Sequence, residues 1–372
     1  MTDREAYIAL NMMAGLGPIK VRALIDVLGS PQAVFEVDGD QLQRVRGIGE
    51  KLRTSILEQR SQIDPSAEIE KAAELDTRIV TPLDVEYPDA LKMIYDPPLA
   101  LYVRGSFLPG DHHALGMVGS RKATHYGLNI ADRLSYQLAQ TGFTIVSGLA
   151  RGIDTAAHEG ALKGKGRTVA VLGAAIDQLY PPENAPLADA IAQSGAVISE
   201  YPLGRPADRM TFPYRNRIIS GLSMGVIVVE AGFKSGSLHT ADAALEQGRS
   251  VFAVPGRIDH PSAKGTNRLI KNGAKLVDNV DDILEEFQLL IPPGTMDVPE
   301  KQASARPEVP LSAEEKKLVE ALWQGALDID SLARDVELTS AEISGVLLGL
   351  EMKRVIKMLP GRIVELADDL RG

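Results

Sequence analysis

Between residues 209 and 256 the chain concentrates groups suited to holding an anionic polymer. Arg209, Phe212, Arg215, Asn216 and Arg217 fall within nine residues, ahead of a helix with an apolar side. The apolar run Val226-Ile227-Val228-Val229-Glu230 follows, and then Gly236-Ser237-Leu238-His239-Thr240, a turn that opens another helix. Guanidinium groups grip phosphate through forked N–H donors. A ring gives a base a stacking surface, and a helix start offers unpaired backbone N–H groups to an anion. Together they point to a nucleic acid strand or a nucleotide as ligand.

Two earlier turns repeat the design. Val118-Gly119-Ser120-Arg121 follows an apolar run and opens a helix; Gly119 lets the backbone approach an anion, while Ser120 and Arg121 add a hydroxyl and a forked cation. It reads equally as a tight turn with a surface arginine. It is not Gly-x-Gly-x-x-Gly, so no dinucleotide or other cofactor is expected. In Ser147-Gly148-Leu149-Ala150-Arg151-Gly152-Ile153-Asp154, the glycines permit close approach. There Arg151 either meets a ligand or forms a buried pair with Asp154, and the residues alone do not separate the two readings. At 209–217, Arg209 beside Phe212 carries the sharpest expectation, a base stacked on the ring while phosphates pass the cation. Arg215 and Arg217 rank below it, since both can instead pair with Glu200 or Glu230, with Phe212 in the core. Gly236, Ser237 and Thr240 complete the set, and all three turns are expected on the carboxyl edge of one parallel sheet, where ligands bind. No catalytic set or metal-ligand spacing emerges from the six scattered histidines.

The elements that must position these turns are legible as apolar runs at 78–81, 99–103, 115–119, 144–147, 168–172, 196–200, 226–230, 251–254 and 275–277, alternating with helical segments. Continuous apolar strands alternating with helices predict a doubly wound, mostly parallel α/β sheet over residues 66–290. Residues 1–65 read as short helices, with Gly15-Leu16-Gly17 and Gly47-Ile48-Gly49 resembling helix-hairpin-helix units that hold DNA phosphate or serve only as turns. The prolines of 291–310 mark a linker. Residues 311–372 show three helical patterns and a hairpin around Pro360-Gly361, a winged-helix-type module. Its candidate recognition helix, 340–351, carries no basic residue, which favours a protein partner or a regulatory role over duplex reading.

The 372 residues suit two or three domains. The chain lacks cysteine, which excludes disulfides, thiolate metal sites and cysteine nucleophiles. Its charged start and the lack of a long apolar run lead to the expectation of a cytoplasmic protein without membrane spans. A net charge of −10 predicts a focused basic site rather than a basic surface.

These motifs in this order resemble the DNA processing protein A (DprA/Smf) family. The likeness runs through Val118-Gly119-Ser120-Arg121, the 147–154 turn, Phe212-Pro213-Tyr214-Arg215-Asn216-Arg217, Ser235-Gly236-Ser237-Leu238-His239-Thr240 and Val251-Phe252-Ala253-Val254-Pro255-Gly256. It implies an extended Rossmann domain that binds single-stranded DNA, with an N-terminal helix-hairpin-helix or SAM-like domain and a C-terminal winged helix. It further implies a homodimer that shields incoming strands and helps load RecA recombinase during natural transformation, without substrate turnover. By position, the family's DNA-contacting groups fall on Arg121, Arg209 and Phe212. The rival likeness is to nucleotide phosphoribohydrolases, whose carboxylate three residues beyond the turn threonine is Ala243 here, although Glu246 lies on the same helix. An interaction adaptor is the third reading.

Overall fold

The computed structural model describes residues 1–287, 312–322, 327–336, 340–353, 355–359 and 363–366. The chain forms two compact units, Met1–Val298 and Pro299–Gly372. The linker expected at 291–310 lies outside the described residues.

The first unit opens with helices α1 (Asp3–Met12), α2 (Pro18–Leu28), α3 (Ala33–Glu36), α4 (Gly39–Gln43), α5 (Glu50–Gln59) and α6 (Pro65–Glu74). Thr2 and Glu5 close a capping box on α1, satisfying two backbone donors at the helix start. The two Gly-x-Gly units form matching hairpins. Gly15 and Gly47 take φ of +80° and +91°, a conformation that favours glycine, and Gly17 and Gly49 cap α2 and α5. Leu10, Val21, Leu24, Val34, Leu42 and Ile56 make the local core. Ile8 of α1 joins Ile79 and Tyr102 of the sheet, and Asn11 donates to the Glu200 carbonyl at 3.0 Å, which seats the helices on the sheet.

Nine strands follow: β1 (Arg78–Val80), β2 (Leu101–Gly105), β3 (Ala114–Val118), β4 (Thr144–Ser147), β5 (Thr168–Val171), β6 (Ala196–Ser199), β7 (Gly225–Val228), β8 (Ser250–Ala253) and β9 (Lys275–Leu276). Each lies within a few residues of an expected run. Their order is β1-β2-β6-β5-β4-β3-β7-β8-β9; β3 to β9 run parallel, and β2 is antiparallel to both β1 and β6. β3 and β4 are buried along their whole length, as strands covered on both faces must be.

One face carries α7 (Asp89–Lys92), α11 (Thr211–Leu222), α12 (Ser237–Glu246) and α13 (Lys264–Lys271), packed on Val118, Val146, Val171, Val226 and Val228. The other carries α8 (His125–Gln140), α9 (Ile153–Lys163) and α14 (Asp281–Phe287) on Leu115, Met117, Ile145 and Ile227. There α10 (Ala185–Ser194) packs on Ala170 and Val197. The result is a Rossmann-like fold. From β3 the chain steps outward through β4, β5 and β6, then returns to place β7 on the opposite side of β3. The gap between the β3 and β7 carboxyl ends is therefore a topological switch point, the ligand crevice of such sheets.

The second unit is a winged helix: α15 (Ala313–Leu322), β10 (Leu327–Asp328), α16 (Ile329–Asp335), α17 (Ser340–Met352), β11 (Ile356–Leu359) and β12 (Ile363–Leu366). Its core joins Leu318, Leu322, Leu332, Ile343, Leu347 and Val364. The two-residue strand β10, on the free edge of β12, was not anticipated. Pro360 and Gly361, the expected hairpin turn, lie outside the described residues.

Candidate nucleic-acid interface

A cleft of about 580 Å³ opens at the switch point, lined by all three glycine-bearing turns and by α11. Its lining holds Arg121, Lys122, Arg209 and Arg215 against the lone carboxylate Asp154. Four cations to one anion make the cleft locally basic in a chain of net charge −10.

The β3–α8 turn is held from below. Ser120 donates its backbone N–H to the Glu230 carbonyl at 2.7 Å, and Ile153 donates to the Ser120 carbonyl. Gly119 is required by packing, because a Cβ there would sit 2.5 Å from Ile153 Cγ1. Glu230, offered from sequence as an arginine partner, instead accepts from the Thr124 hydroxyl at 2.6 Å and from its N–H. This fixed backbone leaves Arg121 and Lys122 exposed at the cleft rim.

The 209–217 segment does not precede a helix: α11 begins at Thr211, and Phe212 to Arg217 fill its first two turns. Helical spacing then decides which side chains face the cleft. Phe212, Arg215, Asn216 and Ile219 share the cleft face, and exposed Arg209 stands just before it. Arg217 is on the other side, where both Nη atoms meet Glu200 at 2.7 Å and Nε meets Asp96 at 2.9 Å. Burial pushes this guanidinium down, but Glu200 more than offsets it, so its pKa rises. Arg217 thus pins α11 to the sheet edge and does not reach the cleft.

Arg215 is also turned inward. Its Nη1 donates to the carbonyls of Gly148, at 2.8 Å, and Val171. Gly148 is buried, and a Cβ there would lie 2.5 Å from both Nη atoms. That glycine makes room for a guanidinium of its own chain rather than for a phosphate. Burial depresses the Arg215 pKa to about 10, and burial lifts that of Asp154 to about 6 despite the opposing pull of Arg215. Arg151 makes no pair with Asp154; it is exposed and bonds Glu183.

The ring of Phe212 is half-buried, and the guanidinium stacked on it belongs to Arg121, with Cζ 4.5 Å from the centroid. The expected partner was Arg209, but only the fold brings residue 121 to residue 212. Tyr180, which sequence reasoning missed, extends the row: its centroid is 5.9 Å from that of Phe212, and Arg151 Cζ lies 5.9 Å from its ring. The row Arg151, Tyr180, Phe212, Arg121 sets two neighbouring rings between two cations along one ledge. Tyr180 sits in a loop without periodicity, so no sequence pattern marks it. Lys122, also missed, was detectable as the neighbour of Arg121.

At the third turn, Gly236 caps α12 without a side-chain acceptor, leaving its first-turn amides free of a side-chain cap. Asn216 Nδ2 reaches the Gly236 carbonyl at 3.4 Å, and Ser235 and Ser237 share a hydroxyl bond of 2.8 Å. Ser237 and Thr240 are buried beneath the turn while Gly236 is exposed. Glu246, the carboxylate considered for hydrolysis, is exposed and absent from the cleft lining. Among the described residues no His, Asp or Glu cluster suits a metal ion, and no helix is long and apolar enough to cross a membrane.

Comparison with known proteins matches residues 78–288 to the model for DNA recombination-mediator protein A and residues 302–362 to the DprA winged helix domain. Protein Smf of Synechocystis sp. is 33% identical, with 97% of this chain and 98% of the relative covered. The crystal structure of DNA processing protein A from Streptococcus pneumoniae superposes with a TM-score of 0.66 at 36% identity, covering 77% of this chain and 98% of that one. DNA processing protein A from Helicobacter pylori, whose structure is described for its single-stranded DNA binding mode, gives a TM-score of 0.51 at 31% identity, covering 57% and 96%. The matched family spans the whole cleft-bearing sheet, and the chain belongs to the DNA recombination-mediator protein A family.

Proposed function

We propose that this protein binds single-stranded DNA in the switch-point cleft, shields it, and helps load RecA recombinase during natural transformation. The observation that carries the reading is the Arg121–Phe212 stack on the rim of a cleft with four cations and one carboxylate. Stacking on rings is indifferent to base identity, and guanidinium groups track phosphates, so such a site reads a strand without reading its sequence. The ledge through Tyr180 and Arg151 extends past one nucleotide, which favours a polymer over a mononucleotide. The strand-contacting set is Arg121, Lys122, Arg209, Phe212 and Asn216, with the Ser120 hydroxyl and the glycine turns at Gly119 and Gly236. Arg215, Arg217 and Gly148 hold the frame.

Homodimerisation through the Rossmann-like domain, cytoplasmic location and action without turnover belong to the same proposal, supported by family membership. A hydrolase would need a carboxylate at residue 243, which is Ala243, and Asp154 is the lone acid in the lining. The test is RecA filament assembly on a strand precoated with single-strand binding protein. Acceleration by the wild type, absent in Arg121→Ala, supports the mediator role. No acceleration despite strand binding overturns it, and release of base from nucleoside monophosphates would replace it with hydrolysis.

A further inference from the structure

The cleft is not the only place where a guanidinium lies on an aromatic ring. Two residues before Ser235 in the β7–α12 loop, Phe233 is 58% exposed, and Arg268 Cζ of α13 lies 4.4 Å from its centroid. This repeats the Arg121–Phe212 stack at 4.5 Å. Phe233 and Gly236 are three residues apart, so at most roughly 11 Å of chain separates the second ring from the cleft wall.

The surroundings of Phe233 are basic. Lys264, Arg268 and Lys271 follow i, i+4, i+7 spacing and so share one stripe of α13, a helix with no acidic residue. Lys234, next to Phe233 in the chain and exposed, adds a fourth cation. None of these four makes an ion pair among the described residues, whereas Arg78, Arg205 and Arg257 are each neutralised by a neighbouring carboxylate. A single exposed phenylalanine is ordinary on a protein surface. An exposed ring within a basic stripe is, however, the composition of a strand-tracking surface.

We infer that Phe233 and Arg268, with Lys234, Lys264 and Lys271, form a second base-stacking and phosphate-binding station for single-stranded DNA leaving the cleft past the α12 turn. The inference rests on the strand-binding reading of the cleft and extends the footprint beyond it. A short strand fills the cleft alone, and a longer one reaches both rings.

The experiment measures full-length protein against an oligo-dT length series by anisotropy. Wild type gains affinity in a second step once the strand spans both stations. Phe233→Ala removes about 5-fold or more of that step, one stacked base, and leaves the shortest binding strand unaffected. Phe233→Trp retains the step. Lys264→Gln with Lys271→Gln lowers the salt slope for long strands by about 1.4, two phosphates, and leaves the short-strand slope unchanged. If wild type binds no strand of any length, the cleft reading fails. If it binds but Phe233→Ala keeps the full second step, this inference alone fails. A shifted oligomeric state in Phe233→Ala with an unaltered step assigns the patch to a protein contact and overturns it too.

Discussion

Arg121→Ala separates binding from folding in this protein. Arg121 is exposed and forms no ion pair among the described residues, and its guanidinium lies on the Phe212 ring. Removing it leaves the backbone of its turn intact, because the Ser120 bonds to Glu230 and Ile153 are made by main-chain atoms. The unfolding free energy should change by no more than about 1 kcal/mol, the upper worth of the exposed cation–ring contact that is lost. Binding loses one phosphate contact, so the salt slope on oligo-dT falls by about 0.7. Between 50 and 200 mM salt, a fourfold rise, that difference makes wild-type affinity drop about 2.6-fold more than the variant's. Phe212→Ala, in contrast, loses about 1–3 kcal/mol of stacking with the slope unchanged. The double variant should show a coupling of about 0.5–1 kcal/mol, the worth of an exposed cation–ring contact. The assay is anisotropy with oligo-dT, oligo-dC and a mixed sequence across a salt series, with thermal unfolding alongside. An unchanged slope, a loss confined to one sequence, or a large drop in Tm would refute the reasoning.

Arg217→Ala should do the reverse. It strands the buried Glu200 carboxylate and costs about 3–5 kcal/mol of stability, read by denaturant unfolding. Gly148→Ala forces the Arg215 guanidinium out of its place and should cost about 1–3 kcal/mol, while a Gly236→Ala control, with open space around its Cβ, should not. Asp154 adds a pH dependence. Its native pKa, raised to about 6, exceeds the unfolded value near 4, so the native state holds a proton that the unfolded chain releases between those values. Stability is therefore present below pH 4 and lost as pH rises to 6, by up to about 3 kcal/mol. Asp154→Asn should flatten that slope in urea titrations at pH 4, 5, 6 and 7.

The strands were legible because parallel strands buried on both faces must be continuous apolar runs, and β3, β4, β5 and β7 are such runs. Three strand-to-helix glycine turns in one parallel sheet could only gather at one edge, so the cleft's place was legible too. What a side chain touches was not. Arg215 and Arg217 look alike in sequence, but α11 starts at Thr211, and two residues of helix turn them to different neighbours, the Gly148 carbonyl and the Glu200 carboxylate. The same blindness gave the Phe212 ring to Arg209 when the fold gives it to Arg121, a partner 91 residues away in the chain. Tyr180 and β10 left no trace in periodicity, since one sits in an irregular loop and the other spans two residues.

The central claim is that the switch-point cleft holds a single strand through stacking and phosphate contacts. Anisotropy of labelled oligo-dT and of a matched duplex, titrated from 50 to 400 mM salt, tests it most directly. The account predicts tight, salt-sensitive binding of the single strand, a slope of roughly −0.7 per phosphate neutralised, and much weaker duplex binding. Duplex bound as tightly as the single strand, or no binding of either at low salt, would contradict it.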